Sequence, residues 1–321
     1  MAVVMSLPSG GANGFAHVDR ITGPIITDAG SLALPDGTLL GHDMGVPTVL
    51  RPGQQAPAAA RPPAGVEPTS AGYALAPDGT VYLGWDGGLF AAHSPDLADL
   101  KPISSLPSTF GERVRPLGTR PDGSVVVLDG ETVWTLRDGR LTRILRVADI
   151  PASVLEPGDQ ATGIATGTVA ADGTIWLVVQ AKRGPEQAQW LADVIGLTPS
   201  GQVTRLTVPA TATGFNGDPR RLEVSSLTPD GSGVLYIRVA MGHSPNQYVI
   251  RLTAESRMPQ HATVVAASTL RPEDQDAQHP KFPKQADALS LPWYLPSGIA
   301  VRPGMIVLSG GTNYVLAVGI G

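Results

Sequence analysis

The stretch LPDGTLL (34–40) recurs in altered form along most of the 321-residue chain. APDGTVYLG begins at Ala76, RPDGSVVVL at Arg120, AADGTIWLVV at Ala170 and TPDGSGVLYIRV at Thr228, with a degraded sixth copy, VRPGMIVLSG, from Val301. Each copy reads as a turn feeding a short strand. Asp-Gly tolerates positive φ, which predicts a primed hairpin turn matched to right-handed strand twist. The residues that follow are Val, Ile, Leu, Tyr and Trp, strand formers with no helical stripe. Asp36, Asp78, Asp122, Asp172 and Asp230 are spaced by 42, 44, 50 and 58 residues. A period of this size filled with hairpins is the mark of a β-propeller with one four-stranded blade per repeat. Six copies predict an all-β, six-bladed ring.

Blade 3 displays the unit most cleanly. VRPLGT (114–119) is its expected inner strand and SVVVLD (124–129) the second. TVWTLR (132–137) is the third and RLTRIL (140–145) the outer strand. The last blade has inner and middle strands at 298–301 and 305–308, then TNYVLAVGI, and lacks an outer strand of its own. Phe15–Ile21, ahead of the first blade, is the expected replacement, and it closes the ring without an exposed edge. The whole of 1–321 therefore reads as one domain, with 1–14 a flexible terminus. Two segments fall outside the repeat. Residues 51–68 are Pro/Ala-rich and read as a loop between blades 1 and 2. Residues 268–296 are long, polar and proline-rich, and read as a loop or a lid across one face.

Composition narrows the function classes. Net charge is −5 with 16% charged residues and no basic block, which argues against nucleic acid and anionic membrane as partners. The absence of cysteine removes disulfides, thiol catalysis and Cys-ligated zinc. The N-terminus lacks the basic and apolar regions of a signal peptide, and no apolar run reaches transmembrane length. The expectation is a cytoplasmic monomer, or a secreted one if a leader was removed. HExxH, a Gly-Lys phosphate loop, a GxSxG elbow and an EF-hand loop are all missing.

PSGIAVRPGMIVLSG (296–310), TSAGYALAPDGTVYLGWDGGLF (69–90) and LGTRPDGSVVVLDGETVW (117–134) resemble repeats of NHL-type and SMP-30/gluconolactonase-type propellers. The second also resembles the blade motif of strictosidine-synthase-like proteins. The likeness is one of repeat grammar, which identifies a superfold more than an activity. The lactonase resemblance would imply a divalent-metal ligand in a Glu-Gly-Pro opening. This chain has Thr22-Gly23-Pro24 there, and Ser297 where the family's inner-strand openings carry Asn. Asn216-Gly217-Asp218 is the one fragment retained. A hard cation needs several convergent oxygens, so no metal or other cofactor is expected and a divalent site is disfavoured.

Sites on propellers of this kind lie at one mouth of the central channel, among loops leading into inner strands and loops joining second to third strands. On that rule the acid–base candidates are His42, Asp43, Glu131 and His243. The ligand-binding candidates are Glu67, Asp86, Asn246, Tyr248, Trp293 and Tyr294. Arg113 and Arg115 belong to the same face, whereas the Asp-Gly turns fall on the opposite one and read as structural. Trp85, Trp134 and Trp176 read as packing between blades. The leading reading is a propeller that binds a small molecule or protein with the loops of one face. The alternative is a hydrolase, lyase or isomerase using His and carboxylate groups in the same mouth, and a purely structural ring is a third.

Overall fold

The computed structural model describes residues 15–25, 32–43, 46–54, 56–60, 72–85, 88–103, 114–183, 191–206, 222–241, 247–253, 262–268, 285–289, 291, 295, 298–309 and 312–319. The first described strand is β1 (Phe15–Ile25), whose partners lie at the far end of the sequence. Blade 1 is β2 (Leu32–Ala33), β3 (Leu39–Asp43), β4 (Val46–Leu50) and β5 (Ala58–Ala59). Blade 2 is β6 (Gly72–Leu75), β7 (Val81–Trp85), β8 (Gly88–Ala92) and β9 (Lys101–Pro102). Blade 3 is β10 (Val114–Thr119), β11 (Val125–Asp129), β12 (Thr132–Arg137) and β13 (Arg140–Arg146). Blade 4 is β14 (Asp159–Val169), β15 (Ile175–Arg183), β16 (Leu191–Leu197) and β17 (Val203–Leu206). Blade 5 is β18 (Leu222–Pro229), β19 (Leu235–Met241), β20 (Gln247–Leu252) and β21 (Thr263–Ser268). After β22 (Gln285–Asp287) come β23 (Gly298–Arg302), β24 (Met305–Ser309) and β25 (Thr312–Gly319). The protein is an antiparallel six-bladed β-propeller.

Closure uses both ends of the chain. β1 pairs antiparallel with β25, from Ala16 opposite Val318 to Ile25 opposite Thr312. It thereby supplies the outer strand that blade 6 lacks. β22 then adds a fifth strand outside β1. The residues 51–68 stretch is likewise not loop throughout, because Ala58–Ala59 pairs with β4 as the outer strand of blade 1.

The repeated turn differs in one respect from its sequence-based expectation. In the first copy, Leu34 N–H donates to the Thr38 carbonyl at 2.8 Å and Gly37 N–H to the Leu34 carbonyl at 2.9 Å. Gly37 alone is left-handed, at φ +93°; the non-glycine residues with positive φ among those described are Leu97 and Asp138. The turn is therefore Pro35-Asp36 followed by a left-handed glycine, the bulged rather than the primed hairpin. The aspartate serves the backbone: Asp36, Asp78, Asp122, Asp172 and Asp230 each accept the amide N–H two residues on, at 2.8–3.0 Å. A primed turn does occur at Asp138-Gly139, where φ is +49° and +71°.

The core consists of six apolar seams, one between each pair of neighbouring blades. Leu40, Tyr73, Leu83 and Phe90 join blades 1 and 2. Val126, Leu128, Leu177 and Ile195 join blades 3 and 4, and Trp176 with Val194 and Ile237 joins blades 4 and 5. The tryptophans are packing groups as expected: Trp85 and Trp176 are buried, and Trp134 packs against the seam of blades 2 and 3. At that seam Gly84 lies so close to β10 that an added Cβ would stand 1.8 Å from the Val114 carbonyl oxygen.

Candidate functional site

The inner strands β2, β6, β10, β14, β18 and β23 surround a channel of about 240 Å³. Its wall is chemically divided. Blade 3 contributes Arg115 and Thr119, blade 4 Thr166 and Thr168, and blade 5 Ser225, Ser226 and Thr228. Blades 1, 2 and 6 contribute Leu32, Ala33, Ala74, Leu75, Ile299, Ala300 and Val301, with Tyr73 among them. Every arginine, serine and threonine in the described lining thus comes from three consecutive blades. Tyr73 is less polar than its type suggests: its hydroxyl is buried and donates to the Gly41 carbonyl, and burial pushes its pKa up.

The same three blades carry β-bulges in their inner strands. The β10–β11 register shifts between Pro116 and Gly118, and the β18–β19 register between Val224 and Ser226. β14 shifts twice against β15, between Ala161 and Gly163 and between Ile164 and Thr166. A bulge leaves one residue outside the ladder and re-aims its neighbours. Here the displaced groups have found other partners. The carbonyl of Ala165, which has no cross-strand partner, accepts Arg115 Nη1 at 2.9 Å. Ser225, displaced in the same way, accepts Arg238 Nη1 on its Oγ at 2.5 Å. By contrast β2–β3, β6–β7 and β23–β24 pair without a shift.

Arg238 is the strongest anchor of the polar wall. It sits buried on β19 and also donates through Nη2 to Gln247 Oε1 at 3.0 Å and to the Leu295 carbonyl at 2.9 Å. Gln247 Oε1 receives Leu295 N–H as well, at 2.7 Å. A guanidinium suits this role because its several donors are held in one plane. The two borders between polar and apolar walls are each fastened by a threonine. Thr119 Oγ1 donates from blade 3 to the Leu75 carbonyl of blade 2 at 3.0 Å. Thr228 Oγ1 donates from blade 5 to the Ile299 carbonyl of blade 6 at 3.0 Å. Ser226 is different. It is 6% exposed, lines the channel, and its Oγ has no hydrogen-bond partner among the described residues.

The residues singled out in the sequence fall in several places. His42 is buried on β3, 2% exposed, and is not part of the channel lining. Asp43 ends the same strand, opposite Val46. Glu131 is exposed on the β11–β12 turn, where its carbonyl accepts Val147 N–H at 2.9 Å. Tyr248 is half-buried on β20 and packs against the seam of blades 4 and 5, which raises its hydroxyl pKa. Arg115 does line the channel. Glu67, Asp86, His243, Asn246, Trp293 and Tyr294 lie outside the described residues. So does 269–284, the greater part of the expected lid. The described part of that segment is built into the fold: Ala288, Leu291 and Leu295 fill the seam of blades 5 and 6. Ala267 and Leu291 fasten it further, Ala267 N–H donating to the Ala288 carbonyl at 2.7 Å and Leu291 N–H to the Ala267 carbonyl at 3.0 Å.

Sequence reasoning missed the channel wall itself. Thr166, Thr168, Ser225 and Ser226 lie within their inner strands, not in the loops at the end away from the Asp-Gly turns. Their one sequence signal was the hydroxyl-rich runs ATGTV (165–169) and VSSLT (224–228) before the turns. Among the described residues no group of three or more His, Asp or Glu side chains is placed to hold a metal ion. Nor is any described helix long and apolar enough to cross a membrane.

No protein-family model matches the chain, and no curated protein matches it either. Solved structures do. Virginiamycin B lyase from Staphylococcus aureus superposes with a TM-score of 0.55 at 10% identity, covering 96% of this chain and 100% of that one. A streptogramin B lyase also gives 0.55 at 10% identity, over 97% of this chain and 100% of the other. A gluconolactonase from Xanthomonas campestris gives 0.48 at 15% identity, over 97% and 89%. At these identities the similarity to the lyases is one of fold.

Proposed function

We propose that this protein is a binding propeller that takes a small molecule into its central channel. The observation that carries the reading is the polar wall of blades 3–5, which brings a guanidinium and a buried Ser226 hydroxyl, without a partner among the described residues, to one cavity. Ligand sites are typically apolar concavities with a few convergent polar groups, and a buried hydroxyl is costly unless something bonds it. Glu131 stands exposed on the β11–β12 turn, one of the second-to-third strand connections of the blades. In this reading the second-to-third strand connections select what enters.

The structural likeness to two lyases keeps the enzyme alternative in view. We favour binding here because His42, the histidine candidate within the described residues, is buried on β3 away from the lining. A protein-observed NMR screen of small neutral and charged fragments tests the proposal. Chemical-shift changes should converge on β10, β14 and β18. Changes confined to the outer strands, or no binder at all, would overturn it.

A further inference from the structure

The channel wall defines a ligand class more narrowly than its size does. Resting on the binding role proposed above, we infer that the channel takes a small, neutral, amphipathic alcohol. Its hydroxyl faces Ser226 and Thr168 on blades 5 and 4, and its apolar body lies against blades 1, 2 and 6. The described lining holds no carboxylate and one ionised side chain, Arg115. That guanidinium is engaged within the protein, by the Ala165 carbonyl at 2.9 Å and by a further interaction. An ionised ligand would therefore enter a confined space without a free counter-charge in the described lining. Burying a charge is costly unless it is paired.

Several hydroxyls of the wall are likewise engaged. Tyr73 donates to the Gly41 carbonyl, Thr119 to that of Leu75 and Thr228 to that of Ile299, while Ser225 accepts Arg238. Ser226 differs: the residue is 6% exposed, and its hydroxyl has no partner among the described residues. Thr168, also buried, lines the same cavity from blade 4. A buried polar group without a partner costs stability, and a ligand that bonds it recovers that loss. A ligand hydroxyl both donates and accepts, so it can answer a serine and a threonine in either sense. A carboxylate only accepts and an ammonium only donates. Leu32, Leu75 and Val301 are half-buried at the channel and offer no polar side-chain atom, which suits a hydrocarbon body. At about 240 Å³ the space is below the roughly 300–1,000 Å³ of sites for drug-sized ligands, so the ligand is small.

The test titrates the full chain calorimetrically with 2-phenylethanol, phenylacetate and 2-phenylethylamine, which share an apolar body and differ in head group. The alcohol should bind at least about tenfold more tightly than either ion. Ser226→Ala should weaken the alcohol about tenfold, and Thr168→Val should weaken it several-fold. Without ligand, Ser226→Ala should melt no lower than the unsubstituted chain, because the hydroxyl it removes has no partner to lose. If circular dichroism shows that Thr168→Val misfolds, Ser226→Ala decides by itself. Acid or amine binding as tightly as the alcohol overturns the neutral assignment. A Ser226→Ala chain that binds the alcohol unchanged, or melts well below the unsubstituted chain, overturns the placement of the head group. If none of the three probes binds, the inference fails outright. The fragment screen, with its wider range of compounds, then decides the broader binding role separately.

Discussion

Blades 3–5 and blades 1, 2 and 6 come from the same repeat and end in the same Asp-Gly or Pro-Gly turns, yet they build unlike halves of one channel. The inner strands of blades 1, 2 and 6 pair in unbroken register and present Leu, Ala, Ile and Val. Those of blades 3–5 are bulged and present Arg, Ser and Thr. The difference shows that the repeat specifies the frame, while single-residue insertions in the ladder specify the lining. It also explains the buried arginine. A bulge creates backbone and side-chain acceptors with no ladder partner, and Arg115 and Arg238 each take one.

Three substitutions or conditions should break or sharpen this contrast. The largest effect is expected where the halves meet. Gly84→Ala places a Cβ at 1.8 Å from a main-chain oxygen of β10, and backbone cannot move aside as a flexible side chain can. A loss of about 3 kcal/mol or more is expected, because this clash exceeds ordinary overpacking. Urea denaturation measures it. A near-neutral result would mean that blades 2 and 3 are less closely joined than their seam implies. Arg238→Met should come next. It removes the donors to Ser225, Gln247 and Leu295 and leaves the buried Leu295 carbonyl without them. Breaking a buried charged network typically costs about 3 kcal/mol. The loss should be accompanied by faster amide exchange in β18, whose bulge the arginine supports. If exchange in β18 is unchanged, the bulge holds itself.

The smallest effect is expected in acid, and it separates the exposed turn face from the channel. The Asp99 carboxylate is held down at about 2, first by the Ser94 hydroxyl and then by the Ser94 and His93 amides. Asp122 is lowered by the Ser124 hydroxyl and amide, and Asp78 by the Thr80 amide and hydroxyl. Depressed carboxylates stabilise the fold above their unfolded value of about 3.9 and lose that contribution as pH falls through their folded values. Melting temperature should therefore decline as pH drops from about 4 towards 2. Asp99→Asn should flatten that decline slightly while leaving any channel ligand unaffected. An unchanged pH profile would remove Asp99 from the account.

Much of the frame was legible in the chain. The inner and third strands of blade 3 fall at 114–119 and 132–137 as expected, and the strand from Phe15 closes blade 6. The site was less legible. Arg115 was recognised as facing the channel mouth, but Tyr248 lies in a blade seam and His42 inside blade 1. Alternation along a strand gives a residue's face only while register is unbroken, so the bulges of β10, β14 and β18 hid which of their residues line the channel.

By itself, then, the sequence determined blade number, the positions of most strands and the Asp-Gly turns that feed them. Those features are local: an Asp-Gly turn and the apolar run after it lie within ten residues of each other. Only the tertiary structure decided which side chains share the channel. Arg115, Thr166 and Ser226 stand on three different blades, each tens of residues from the next. They meet because the ring sets the inner strands of blades 3–5 around one channel.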